Sequence, residues 1–185
     1  MAAALRVFTI LAGAAGLWAQ TQTTQQSAGM LNPWEIAPVL QEISGHGARL
    51  AEALGRIDVR PWIGHGAPET YLEQWQSATE QAKALADGAG ALAHNPERLS
   101  AGLEVLFRIQ ALETMIGSLE QGMRKYQKPA DAAALAALAA ENGVNRSRLE
   151  RYLVSLAAEQ EQQLQLMDSE AQRCRALLVQ PPRKR

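Results

Sequence analysis

Cysteine is almost absent from this chain: Cys174 is the one thiol among 185 residues. A single thiol rules out an internal disulfide framework, a cysteine-built zinc site and a two-cysteine haem attachment. Sheet formers are scarce as well, with seven residues each of Val, Ile and Thr against 34 Ala, 24 Leu and 17 Gln. That balance favours helix and excludes a β-rich fold. Charge of one sign is missing too, since 18 Lys and Arg face 19 Asp and Glu. A chain so balanced carries no field to draw in nucleic acid or an anionic membrane, which argues against a polyanion-binding role. No apolar run reaches the ~20 residues that a bilayer-spanning helix needs.

What is present begins with an address. Residues 1–6 carry Arg6 and no acid, residues 7–17 are apolar, and Leu17-Trp18-Ala19 places a small residue before Gln20. This is the outline of a cleavable secretory signal peptide over residues 1–19. Its removal leaves 17 basic against 19 acidic residues, a net −2. Residues 20–31 are polar, without apolar period, and read as a disordered leader. The basic tail at 180–185, opened by Gln180-Pro181-Pro182, cannot continue a helix. The expected location is periplasmic or extracellular, with no stable membrane insertion after cleavage. The short, alanine-rich signal is of a bacterial kind, which sets aside the glycosylation sequon Asn145-Arg146-Ser147.

Residues 32–179 hold helical stripes. Asn32-Pro33 offers a cap and a first-turn proline, followed by Ile36, Leu40, Ile43, Gly47, Leu50, Leu54 and Ile57 at spacings of three and four. The glycines of Ser44-Gly45-His46-Gly47 mark a kink or the close approach of a neighbour. Pro68 opens a second stripe of Tyr71, Trp75, Ala78, Ala82, Leu85, Ala89 and Leu92, small enough in its later part for a close partner. Asn95-Pro96-Glu97 starts a third, with Leu99, Leu103, Leu106, Ile109, Ile116, Leu119, Met123 and Tyr126, which should end before Pro129. An alanine-rich helix follows over 130–141. A long last helix then sets Leu149, Leu153, Leu156, Leu164, Met167, Ala171, Cys174 and Leu178 on one side. The expectation is an all-α, up-and-down antiparallel bundle of four or five helices with heptad-like packing. Such seams pair between chains as readily as within one.

Four features bear on chemistry. Leu138, Ala139, Gly143, Val144, Leu149 and Tyr152 have the spacing of two helices about a glycine turn, and Asn145, Arg146, Ser147, Arg148 and Arg151 follow that turn. Residues 135–154 thereby resemble the helix-turn-helix of bacterial repressors. The resemblance implies that Val144, Leu149 and Tyr152 pack inward and that the arginines front a recognition helix. Asn142 departs from the pattern, standing where that family buries an apolar side chain, and the following helix runs on for several turns. An export signal also removes the chain from cytoplasmic DNA. The same residues read more simply as two bundle helices joined at a glycine, with Asn145 as cap.

His46, His65 and His94 are the three histidines, two of them in Gly-His-Gly-Ala tetrapeptides. The bundle sets them at different heights, so no metal site and no cofactor are expected. Cys174, on the last stripe, is expected to behave as a small buried hydrophobe, the alternative being an intermolecular disulfide across a dimer seam. The connection 58–68 holds Arg60, Trp62 and His65 among prolines and glycines, and these three are the candidate ligand- or partner-binding residues. The competing expectation is a plug, with the indole buried and Arg60 and His65 facing water. No paired carboxylates, nucleophile-base pair or phosphate loop can be assembled, so the chain is expected not to be an enzyme. The functional expectation is an exported helical bundle with a binding, structural or scaffolding role in the cell envelope. Its partner would be another protein or itself, and not nucleic acid. The alternatives are a ligand-sensing or carrier bundle and, if the export reading fails, a DNA-binding protein.

Overall fold

The structure is a computed structural model that describes residues 32–179, so the expected signal peptide, leader and basic tail lie outside the described residues. It is an all-α bundle. The elements are α1 (Pro33–Gly55), the short α2 (Arg60–Gly64), α3 (Thr70–His94), α4 (Leu99–Tyr126), α5 (Pro129–Ala140) and α6 (Gly143–Val179). No helix among the described residues is long and apolar enough to cross a membrane.

The first helix starts as its sequence dictates. The Glu35 carboxylate accepts the Asn32 backbone N–H at 2.7 Å, and Pro33 takes a first-turn place where no N–H is needed. Ile36, Leu40, Ile43, Leu50 and Leu54 are then buried against α3 and the rest of the core. Three contacts fix α1 and α3 as antiparallel. Trp75 Nε1–H donates to the Leu54 carbonyl at 2.8 Å, Ser44 Oγ donates to the Ala86 carbonyl at 2.7 Å, and Gly47 lies against the Ala82–Ala86 backbone between them. Gly45 and Gly47 leave α1 unbroken, and Gly47 admits a neighbour. Helix α4 returns along α3, with Arg108 donating to Gln81 and Ser118 to Gln74, both at 2.8 Å.

The fourth arm of the bundle is a broken one. Along α4, Met123 shares a groove with Leu135, Glu113 pairs with Arg146, Gly102 meets Leu153, and the Glu97 carbonyl accepts from Gln160. Residue numbers in each of these pairs rise on one side as they fall on the other. Helices α5 and α6 therefore run in one direction, antiparallel to α4, interrupted only at Glu141 and Asn142. The result is an up-and-down arrangement of four arms, the last in two pieces.

Several sequence expectations shift in register. Helix α4 begins at Leu99, since Asn95 to Arg98 form a turn rather than a first helical turn. Its inner face is Gly102, Val105, Ile109, Leu112, Ile116, Leu119 and Met123, which leaves Leu106 half-buried and Leu103 37% exposed. Gly102 explains the rotation. A Cβ there would stand 2.3 Å from Leu153 Cδ2, so the missing side chain is filled by a leucine of α6 and the neighbouring leucines turn outward. Asn145 is not a cap: it lies inside α6 and its Nδ2 donates to Glu42 Oε2 at 2.9 Å. Val144, expected inside, is 65% exposed, while Leu149 and Tyr152 are buried.

Candidate functional site

Asp58 opens the 58–68 connection by accepting the Arg60 backbone N–H at 3.1 Å, and α2 occupies the middle of what the sequence left irregular. The segment closes on Gly66, whose φ of +88° is the left-handed conformation that glycine adopts freely. Trp62 is 2% exposed. Its ring meets Tyr71 edge-on at 5.8 Å and stacks on Tyr126 at 6.4 Å, centroid to centroid. Gly122 of α4 makes the room, since a Cβ there would stand 2.9 Å from Trp62 Cζ3. Arg60 and His65 are exposed. The connection thus sends its indole inward and its two basic side chains outward, so the three candidate residues do not converge on a ligand.

A polar cluster missed from the sequence lies in the bundle interior, where α5 breaks into α6. His46 is buried, and its Nε2 lies 2.8 Å from the Leu138 carbonyl. A carbonyl only accepts, so Nε2 is the donor in this contact, and the buried Nδ1 has no partner. Asn142 is buried beside it, its Oδ1 likewise unpartnered. Both line a cavity of about 10 Å³ with Glu113 and apolar side chains. That volume takes one water molecule and no organic ligand. His65 and His94 are exposed elsewhere, and among the described residues no three metal-ligating side chains come together.

The segment that resembles a helix-turn-helix is committed to the bundle. Arg146 donates through Nη1 to Glu113 Oε2 at 2.6 Å and lies 3.4 Å from Glu150. Asn145 reaches Glu42 on α1. Asn142 fills the buried place in which that motif sets an apolar side chain. Arg148 and Arg151 are exposed.

Tyr152, on the α4-facing side of α6, is 3% exposed with its hydroxyl buried and unpartnered. Burial, assisted by the Glu97 and Glu159 carboxylates, raises its pKa above the ordinary tyrosine value. The folded state thus holds the phenol proton more tightly than the unfolded chain does. This contribution is intact below about pH 10 and is lost as pH rises through the folded-state pKa. Tyr152→Phe should therefore blunt the alkaline loss of stability, measured by urea melts from pH 8 to 11. At neutral pH it should cost nothing or add up to about 1 kcal/mol, because the hydroxyl it deletes has no partner.

No family model, curated protein or solved structure matches the chain. A further candidate is a surface on α6. Leu149, Leu153 and Leu156 are buried against the bundle, but α4 ends at the height of Gln160 and every side chain from 161 to 178 is exposed. Leu164, Leu166, Met167, Leu177 and Leu178 are 64–86% exposed there. Cys174, expected to be buried, is exposed for the same reason: among the described residues no other helix reaches it. At 1.5 Å per residue this arm extends about 27 Å beyond the body. Its overshoot was legible in length, since α6 has 37 residues and the α4 that covers it has 28.

Proposed function

We propose that this is an exported helical-bundle protein that works by binding, in a structural or scaffolding role in the cell envelope, and that the projecting half of α6 is its contact surface. The observation that carries the reading is the row of exposed apolar side chains on that arm. Water-exposed apolar side chains that continue a buried helical stripe, here Leu164, Met167 and Leu178, are the mark of an interaction surface rather than of a finished monomer surface. Export rests on residues 1–19 and the bacterial kind of signal they form. The partner is a protein, either another chain or a second copy, since the balanced charge gives nucleic acid no handle.

Two measurements test this. Mass spectrometry of the protein from its own host should find an amino terminus at or near Gln20 in the extracytoplasmic fraction; an intact Met1 in the cytoplasm removes the envelope role. A photo-crosslinking residue placed at Met167 should give protein adducts in living cells, and one at the exposed Lys83 should not. Adducts at neither site remove the arm as a contact surface.

A second reading, a carrier of small molecules, is favoured by one feature. An open groove of about 450 Å³ lies between the end of α1, α4 and α5, floored by Ile57, Met123, Leu135 and Leu138 and rimmed by Arg56 and Asp131. The volume is that of a small-ligand site. Leu135→Trp would fill it, and a bound amphiphile that raises the Tm of the wild type but not of this variant would support the carrier.

A further inference from the structure

We propose that the partner of the α6 arm is a second copy of this chain, the two arms lying antiparallel on each other over residues 167–178. This deepens the binding role above and rests on it. Residues 149, 153, 156, 160, 164, 167, 171, 174 and 178 fall within a stripe about 80° wide at 3.6 residues per turn. The uncovered half of the stripe therefore faces the same side as the half buried against α1 and α4. Cover stops where Gln160 Nε2 donates to the Glu97 carbonyl, at the turn between α3 and α4. Beyond it, Leu164, Met167, Cys174 and Leu178 continue the seam into solvent.

That geometry selects the direction of pairing. A second arm laid parallel on this stripe would bring its own residues 143–160 into the space that α4 already fills. An antiparallel arm brings only its tip toward Gln160 and leaves the two bodies at opposite ends. It takes up the line of α4, which itself runs antiparallel to α6. The charges agree. Asp168 and Arg175 are seven residues apart and share one flank of the seam. With Ala171 of each copy level with Cys174 of the other, Asp168 of each lies beside Arg175 of the other, and the two-fold axis makes the pair twice. The two Cys174 side chains then stand in neighbouring layers, about 4.5 Å apart along the axis as well as across the seam. That is too far for a disulfide between them, whereas residues 171 and 174 face each other.

The protein purified from its own host should sediment as a concentration-dependent dimer, and ending the chain after Gln160 should leave a monomer that melts at nearly the wild-type temperature. Arg175→Asp should weaken the dimer about tenfold, as should Asp168→Arg, each replacing two attractive rim pairs with two repulsive ones, and the double variant should recover most of the loss. Register is read by oxidation with copper phenanthroline. A mixture of wild-type chain with the Ala171→Cys, Cys174→Ala variant should yield a disulfide heterodimer, while neither protein alone cross-links. Cross-linked homodimers without the heterodimer mean parallel arms and overturn the proposal, as does a monomer at all concentrations. If the chain is monomeric yet the Met167 crosslinker captures a different protein, the binding role stands and the second copy is excluded.

Discussion

Trp62→Ala is expected to cost the bundle about 3–5 kcal/mol, the range for emptying a buried aromatic site, with a fall in Tm on the order of 10 °C. The indole is 2% exposed and holds three segments together. It comes from the short α2, meets Tyr71 at the start of α3, and stacks on Tyr126 at the end of α4. Tyr71 and Tyr126 also touch each other edge-on at 6.3 Å, so the three rings form a closed aromatic set at one end of the bundle. Relaxation into the vacated space is limited, because α4 comes close at Gly122 and the ring faces are already in contact. The same melts should place His65→Ala within about 0.5 kcal/mol of wild type, as for any exposed side chain without a structural partner. An unchanged Tm for Trp62→Ala would mean that the connection 58–68 is not docked on the bundle in solution.

The helical stripes of α1 and α3 were readable residue by residue. Ile36, Leu40, Ile43, Leu50 and Leu54, and then Ala78, Ala82, Leu85, Ala89 and Leu92, are buried as their spacing requires. Each of these helices has one apolar face and therefore one solution. Helix α4 has more leucines than a single face can hold, and the choice between the Leu99–Leu103–Leu106 row and the Gly102–Val105–Ile109 row depends on the neighbour. Leu153 of α6 decides it by filling the gap at Gly102. Periodicity cannot see that contact, since it belongs to two elements 51 residues apart in the chain. The last helix shows the converse. Its stripe is regular as far as Leu178, and regularity alone put Cys174 in a core. Burial needs a covering helix as well as a stripe, and α4 stops at the height of Gln160. Of the residues singled out for binding, Trp62 was legible as a large indole needing cover, but the inward set of His46 and Asn142 was not. Two polar residues 96 positions apart carry no joint signal until the fold brings them to one cavity.

Gly45 and Gly47 make the sharpest test of how α1 and α3 pack, because alanine at the two sites should move stability in opposite directions. Both are interior to α1, where alanine is the better helix former by about 1 kcal/mol. At Gly45, exposed, nothing lies within 4 Å of an added Cβ, so Gly45→Ala should gain roughly 0.5–1 kcal/mol. At Gly47 the same methyl would stand 2.9 Å from the Ala86 nitrogen and 3.0 Å from the Ala82 carbonyl oxygen. These are backbone atoms of a helix, with no rotamer to turn away. The two helices must separate there by some tenths of an ångström. Ser44 on one side and Trp75 on the other tie them together through hydrogen bonds of 2.7 and 2.8 Å that the separation would stretch. Overpacking of this kind costs about 1–3 kcal/mol and overrides the helix-propensity gain. Urea denaturation of the two variants should therefore bracket the wild type, with a gap of about 1–3 kcal/mol between them. A Gly47→Ala protein as stable as Gly45→Ala would show that α1 and α3 do not meet backbone to backbone.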